Sequence, residues 1–366
     1  MRKKVILITN LPAVYRMELY KELSNDSNID FLVYFYALNK EYATHCLAIP
    51  NEQINYSTIK TIVAYIKKRR YFIPLNLIYK LWKNKPDILI TVGFSYFSIL
   101  CFFYAKIFNA KNYIWWAGTL LSEKNKPNII TIFRKWIVHK TSGIISYSNI
   151  ASKYLNDKLN YQKNVLTLGN INFDMQQFNN SVAKYKHKKQ TNKTTFLINS
   201  NLIPRKNVIF AIDVLNKVYQ TYPNIHIILI GSGEEKEAIL QKIKKINLPV
   251  EYYSHVTYDK IFLYYAQSDI LLHPCKMDLW PQVINEALAS ELLVFTSPYC
   301  GVDEEVLNNA NSFILPLDET VWVEAISTIL NNTSIIESYR QKIRQTLIPQ
   351  FTITKTKEKL CYFILR

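Results

Sequence analysis

Glycine is scarce in this chain, with seven in 366 residues. A residue that tolerates positive φ and close backbone approach is then kept for places where the backbone needs it. Gly93, Gly118, Gly231 and Gly233 each follow the last residue of an apolar run that reads as a strand. Cysteine is also sparse: Cys46, Cys101, Cys275, Cys300 and Cys361 are odd in number, scattered and without a CxxC pair. That excludes a disulfide framework or a zinc site as the organising device and points to a reducing compartment. Long apolar runs are missing too. The longest, Tyr96 to Ala105, stops at Lys106, well short of the roughly 18–20 residues that span a bilayer. The first ten residues read as a strand and not as a signal peptide's apolar core and cleavage site. The expectation is a cytoplasmic protein that does not span the membrane.

Acid is short in one half only. Residues 1–180 hold 24 Lys and Arg against 10 Asp and Glu, residues 181–195 hold five Lys and no acid, and residues 196–366 hold 16 basic against 18 acidic residues. A basic half joined to a neutral one implies two different partners, and the basic half expects an anionic surface. With 49% hydrophobic and 20% charged residues the chain is globular, and its length suits two domains of roughly 100–200 residues each.

Short apolar runs alternate with helical patterns along the whole chain. Strands are expected at Val5–Thr9, Phe31–Tyr36, Asp87–Val92, Tyr113–Ala117 and Ile144–Ser148, then at Thr195–Asn199, His226–Ile230, Val250–Tyr253, Ile270–His273 and Leu292–Thr296. Among the helices, patterns run from about Thr58 to Arg70, Pro74 to Trp82, Ile129 to Lys140, Val208 to Tyr222 and Asp303 to Asn309. This alternation specifies parallel, doubly wound sheets. Lys184 to Thr195 is rich in Lys, Thr and Asn without apolar periodicity, so 184–194 is read as a linker between a domain 1–183 and a domain 195–349. The last pattern, 350–366, lies beyond the second sheet.

The richest stretch is Asp269 to Ser290. A buried strand is followed by a loop holding Asp278 and Trp280, then by a helix that starts at Pro281, a favoured first helical residue. At 100° per residue Gln282, Asn285 and Glu286 share one face, expected to look into a cleft, and Val283, Ile284, Ala287 and Leu288 share the face against the sheet. Strand, loop and helix N-terminus in this order is where open α/β sheets bind anions. His273 ends the strand, where it is either a satisfied core histidine or a catalytic one. Trp280 either lies against a ligand or covers the sheet edge.

These residues resemble the GT-B glycosyltransferases, specifically the large retaining family four, which carries two acidic residues with seven between them. Asp278 stands at the first and Glu286-Ala287-Leu288-Ala289 matches the second. Ser200 to Asn207 is similar to the family's diphosphate loop, with Lys206 at its lysine, Asn201 where the partner arginine is usual, and Arg205 as a possible substitute. Gly231-Ser232-Gly233, Gly301, and Asp174 with Phe178 fit further family segments. Ser290-Glu291 departs from the small residue and glycine common there.

The resemblance implies a GT-B fold, two Rossmann-like domains facing a central cleft, with the terminal helix crossing back to the first. It implies a retaining hexosyltransferase moving a sugar from a nucleotide-diphosphate sugar to a lipid-linked or glycan acceptor in cell-surface polysaccharide or glycolipid synthesis. Asp278 and Glu286 take the catalytic positions. Asn201, Arg205, Lys206, Gly231, Ser232, Gly233, Trp280, Pro281, Gln282 and Glu286 line the donor, with Glu286 on the ribose diol and Asp278 on hexose hydroxyls. An Asp at that position draws the carboxylate back by about 1.5 Å, one bond length. Asn10, Tyr15, Arg16 and Thr119 stand on the acceptor side. No metal, no cofactor beyond the co-substrate and no protein base is expected.

Lys67-Lys68-Arg69-Arg70-Tyr71-Phe72 closes a helical pattern with four cations and two rings, and reads as a contact with an anionic membrane on its inner face. A soluble acceptor, or a GT-B sugar-nucleotide epimerase, is the alternative. A basic nucleic-acid-binding protein is the rival of another class, but no nucleic-acid motif is present and that reading needs no acidic pair.

Overall fold

The computed structural model describes residues 2–37, 53–66, 69–189 and 193–366. The chain forms two compact units, Met1–Phe173 with Ile353–Arg366, and Asp174–Thr352. Residues 174–183, which the sequence pattern places at the end of the first domain, belong to the second unit.

The first unit begins with β1 (Lys3–Thr9), α1 (Val14–Ser24), β2 (Ile29–Phe35) and β3 (Tyr56–Thr58). A two-stranded hairpin follows, β4 (Thr61–Ile66) and β5 (Arg69–Pro74), antiparallel from Thr61 opposite Pro74 to Ile66 opposite Arg69. This corrects the helix expected from about Thr58 to Arg70: β-branched Thr61, Ile62 and Val63 lose χ1 freedom in a helix and pack well on a pleated surface. Then come α2 (Leu77–Asn84), β6 (Ile88–Val92), α3 (Tyr96–Ile107), β7 (Lys111–Trp116), α4 (Asn128–Val138), β8 (Gly143–Ser146), α5 (Asn149–Leu159) and β9 (Val165–Thr167). Seven strands form a parallel sheet in the order β3-β2-β1-β6-β7-β8-β9. Because both faces are covered, the central strand β1 is apolar on both sides: Val5, Ile6, Leu7 and Ile8 are all buried.

The second unit opens with α6 (Met175–Ala183), capped by the Asp174 carboxylate on the Gln177 N–H at 2.9 Å. It continues through β10 (Thr194–Asn199), α7 (Val208–Thr221), β11 (Ile225–Ile230), α8 (Lys236–Lys245), β12 (Val250–Tyr253), α9 (Tyr258–Gln267), β13 (Ile270–His273), α10 (Gln282–Ala289), β14 (Leu293–Thr296), β15 (Ser312–Ile314), α11 (Glu319–Asn331) and α12 (Ser334–Lys342). The sheet is parallel, in the order β12-β11-β10-β13-β14-β15. The helix expected from Asp303 to Asn309 is absent; turns occupy the segment. Its asparagines hold it that way, the Asn308 side chain accepting from the Ala310 N–H at 2.9 Å and Asn311 from the Asn308 N–H at 3.0 Å.

The last helix, α13 (Ile353–Leu365), is part of the first unit. Its Ile353, Leu360, Phe363 and Ile364 join the core formed by Val5, Leu7, Tyr113 and Trp115.

Candidate functional site

In the second unit the strand order reverses between β10 and β13, so the loops after these strands diverge and leave a crevice at their carboxyl ends, the usual ligand position of open α/β sheets. The loop after β10 is pressed onto the one after β11. Leu202 N–H donates to Ser232 O at 2.9 Å and Glu235 N–H to Leu202 O at 2.9 Å. A Cβ on Gly231, whose φ is +147°, would lie 1.8 Å from Ser200 O, and one on Gly233 2.3 Å from Leu202 O. Glycine is therefore required at both places by loop-on-loop packing, whatever the loops bind.

The loop after β13 is joined to the one after β14 by Asp278 N–H to Tyr299 O at 3.1 Å and Gly301 N–H to Asp278 O at 2.8 Å. It is joined to the loop after β10 by Lys276 N–H to Arg205 O at 2.8 Å and by the Arg205 guanidinium to Met277 O at 3.2 Å. Residues Pro204–Lys206 make one 3-10 turn that ends at Asn207, with φ +57°. Asn is among the residues that tolerate this conformation.

This framework brings Lys206 and Asp278 together. The ammonium, with Lys206 8% exposed, forms an ion pair with Asp278 Oδ2. Arg205 Nη1 stands 3.6 Å from Asp278 Oδ1 on the open side. His273 Nε2 lies 3.4 Å from Oδ2, at ion-pair distance without hydrogen-bond alignment. Burial alone would raise the Asp278 pKa, but His273 and the Lys206 ammonium outweigh it and hold the carboxyl well below the usual carboxylate range. For His273 burial opposes the imidazolium, yet Asp278 and then Cys275 reverse this and raise its pKa. The sequence leaves His273 between a core and a catalytic residue. It is a buried residue that stabilises the ionised form of Asp278.

Glu286 projects from the middle of α10. The Tyr265 hydroxyl donates to its Oε2 at 2.7 Å and accepts in turn from the Asn199 amide at 3.3 Å. Burial raises the Glu286 pKa, with the Tyr265 hydrogen bond pulling the other way. Neither Tyr265 nor Asn199 is signalled by the sequence, because Tyr265 is one of several aromatic residues in α9 and Asn199 is the last residue of a strand.

Other candidates fall elsewhere. Asn285 does not share an open face with Glu286; it is fully buried and accepts the Trp280 indole N–H at 3.0 Å. Trp280 is itself buried, and its polar edge is committed to the helix that follows it. Pro281 is the N-cap, with φ −70° and ψ 124°, and α10 begins one residue later at half-buried Gln282. Asn201, Arg205, Ser232 and Gly233 are exposed and Gly231 is half-buried.

The acceptor candidates lie in the first unit. Arg16 is buried, with its guanidinium 5.4–5.6 Å from the rings of Tyr15, Trp115 and Tyr147. The sequence offers solvent or a pair with Glu18 as the plain alternative, and solvent is excluded. Thr119 is occupied in a turn, its N–H donating to Ser122 Oγ at 2.9 Å and its Oγ1 accepting from Ser122 N–H at 3.2 Å. Asn10 is exposed and Tyr15 half-buried.

Of the basic run, Lys67 and Lys68 lie outside the described residues, Arg69 and Arg70 are in β5, and Tyr71 and Phe72 are half-buried. Among the described residues no helix is long and apolar enough to cross a membrane, and no cluster of His, Cys, Asp and Glu fits a metal ion.

Residues 179–346 match the family described as glycosyl transferases group 1. An uncharacterized glycosyltransferase of Haemophilus influenzae is 23% identical over 300 residues, 80% of this chain and 81% of that protein. The GPI3 subunit of a Saccharomyces cerevisiae phosphatidylinositol N-acetylglucosaminyltransferase is 24% identical over 144 residues, 39% of this chain but only 30% of that one. In structure, Anabaena HepE, solved in complex with UDP and glucose, superimposes with a TM-score of 0.76 at 15% identity, covering all of both chains. WaaG, a glycosyltransferase involved in lipopolysaccharide biosynthesis, gives 0.70 at 15% identity over 98% of this chain and 99% of that one. The chain thus has the GT-B architecture, and most of its second unit is similar to the glycosyl transferases group 1 family.

Proposed function

We propose that the chain is a retaining glycosyltransferase of family four that moves a hexose-type sugar from a nucleotide-diphosphate sugar to a lipid-linked or glycan acceptor, at the inner face of a membrane. The observation that carries this reading is the paired Lys206 and Asp278 at the switch point of the second sheet, with Glu286 held on the adjacent helix. An ammonium has three donors, so one bond to Asp278 leaves two for the oxygens of a diphosphate. Arg205 supplies a second cation beside it, in place of the partner absent at Asn201. The Ser232 and Gly233 N–H groups and the first N–H groups of α10 add uncharged donors of the kind anions use.

Glu286, its Oε2 already fixed by Tyr265, offers its other oxygen to the ribose diol. Asp278 is kept ionised and acceptor-only, suited to sugar hydroxyls and to the positive charge that builds on the sugar as the leaving group departs. Lys206 meets the complementary negative charge on the leaving diphosphate. No side chain is assigned as a protein base, and neither metal nor further cofactor is assigned. The names of HepE, with UDP and glucose, and of WaaG support a nucleotide-sugar donor and a lipid-borne acceptor as the reading to test.

Calorimetry with UDP, GDP and ADP should find one nucleotide that binds. Loss of a charge-assisted partner costs about 1.5–3 kcal/mol, so Lys206→Ala and Glu286→Ala should each weaken that nucleotide roughly 10- to 150-fold. Unchanged affinity in both variants would remove the donor site from this crevice.

A further inference from the structure

The positive surplus is far more concentrated than its split between halves suggests. Residues 53–156 hold 16 Lys and Arg but only two acids, Asp87 and Glu123. Both are engaged, Asp87 with Lys3 at 3.4 Å and Glu123 with Arg134 at 2.6 Å. The same segment holds 19 of the 22 large apolar side chains that stand exposed among the described residues.

Helix α4 shows how this surface is built. Ile129, Ile132, Phe133 and Trp136 recur at intervals of three, one and three, which puts them on one stripe of the helix. They are 75%, 68%, 40% and 41% exposed, whereas Arg134, Ile137 and Val138 on the other side are buried. The helix cannot turn to hide the stripe. Arg134 is fastened inward by Glu123 and by the Tyr154 hydroxyl at 3.1 Å, and its guanidinium lies 5.0 Å from the Trp116 ring.

The patch is continuous with α3. The Trp136 ring meets Phe102 edge-on at 5.4 Å, and Phe102 meets Phe103 at 5.4 Å. Phe103 and Ile107, one turn apart on α3, are 48% and 74% exposed. Cations rim these rings: Lys140 lies 4.8 Å above Trp136 and Lys106 5.9 Å from Phe102, while Lys124 and Lys135 are exposed nearby in sequence.

We infer that α4, with the outer side of the end of α3, inserts into the headgroup layer of an anionic bilayer while the surrounding lysines meet lipid phosphates. Apolar and aromatic side chains on a helix whose polar positions are basic are the chemistry of an interfacial helix. Charge decides against the other occupants. A two-fold contact between copies would set the same lysines against one another, and a partner protein's cations would find no free acid on this rim. The inference deepens the proposed function by naming where a lipid-borne acceptor is met. It moves the contact from the Lys67–Phe72 run to the α3–α4 face.

The test is co-sedimentation of the full-length protein with vesicles of phosphatidylcholine alone, and with phosphatidylglycerol as about a third of the lipid. Binding should require the acidic lipid and weaken as salt rises. The double variant Ile132→Ser/Phe133→Ser should lose at least about tenfold in partition, since each side chain gives up its apolar transfer. Lys135→Ser/Lys140→Ser should lose about tenfold or more at low salt, at roughly fivefold per cation, and much less at high salt. All four side chains are exposed, so an unchanged circular-dichroism melt verifies folding. Equal recovery on neutral and acidic vesicles overturns the inference, as does a serine double variant that sediments like the parent. So does a dimer by light scattering that becomes monomeric in the serine variant, which would give the stripe to a second copy. No donor is needed, so failure of the nucleotide reading shows separately, as absent calorimetric binding with vesicle binding intact.

Discussion

Lys206 and Asp278 are 72 positions apart in sequence, and their pairing changes what a substitution at either one means. Asp278→Asn keeps the shape but removes the negative charge beside Lys206. Nucleotide-diphosphate binding should then stay equal or tighten, up to about tenfold, because the freed ammonium faces the phosphates with less competition. Sugar transfer should fall by about 10²-fold, as expected when an electrostatic group acting in the transition state is lost. Tenfold weaker nucleotide binding, measured by calorimetry, would put Asp278 in the phosphate or ribose site instead. The His273 titration, followed by NMR, should move to lower pH in the same variant, since burial opposes its charge and Asp278 is the chief group that favours it. The signs of the two shifts are opposite. Asp278 contributes stability above its ordinary value of 3.8, lost as pH falls through the depressed one. His273 contributes below its ordinary 6.5, lost as pH rises through the raised one. The complete cluster therefore belongs to the acidic-to-neutral range.

At the level of elements, the end of α10 carries an unusual residue. Glu291 has φ +65° and is 2% exposed, with its carboxylate bonded by Lys186 at 2.9 Å, by Arg344 at 3.0 and 2.6 Å, and by Asn179 at 3.0 Å. A left-handed non-glycine residue costs roughly 1–2 kcal/mol, which these bonds offset while tying the segment after α6 and the one after α12 to the helix that bears Glu286. The sequence shows only that a glycine common in the family is absent here; the reason lies in four side-chain bonds from three residues distant in sequence. Burial would raise the Glu291 pKa, but Arg344 and Lys186 hold it at about 2. Its contribution is complete above the ordinary 4.5 and is lost as pH falls toward about 2. Glu291→Gln should cost on the order of 2 kcal/mol at neutral pH, discounted because Lys186 and Arg344 are largely open to solvent. It should also flatten the acid limb of stability in that window, as read by urea unfolding at stepped pH. The hairpin β4–β5 was illegible for a related reason: short apolar runs fit either period, and the partner strand decides.

For the whole chain, the division into two units predicts separable unfolding. Helix α13, last in sequence, supplies Ile353, Leu360, Phe363 and Ile364 to the core of the first unit, each 4% exposed or less. At about 1.5–3 kcal/mol per buried side chain, ending the chain before Ile353 removes roughly 6–12 kcal/mol, comparable to the 5–15 kcal/mol that holds a domain together. Scanning calorimetry of the truncated chain should lose the transition of the first unit and keep one that a bound nucleotide still raises. Two intact transitions would show α13 to be dispensable.

What the sequence determined by itself is the alternation of strands and helices, hence two parallel sheets, and the positions of Lys206 and Asp278 in loops that follow strands and of Glu286 on the next helix. Both rest on local physics. Strands covered on both faces must be largely apolar, and Gly231, Gly233 and Gly301 stand where loops cross closely. What only the tertiary structure decided is partnership. Strand order reverses at β10 and β13, and that reversal sets Lys206 beside Asp278. The same packing turns Asn285 inward and places Tyr265 on Glu286, and in the first unit the packing around β7 encloses Arg16 in rings. Side-chain charges and hydrogen bonds act over a few ångströms in space, and no periodicity along the chain records which distant loop will close that distance.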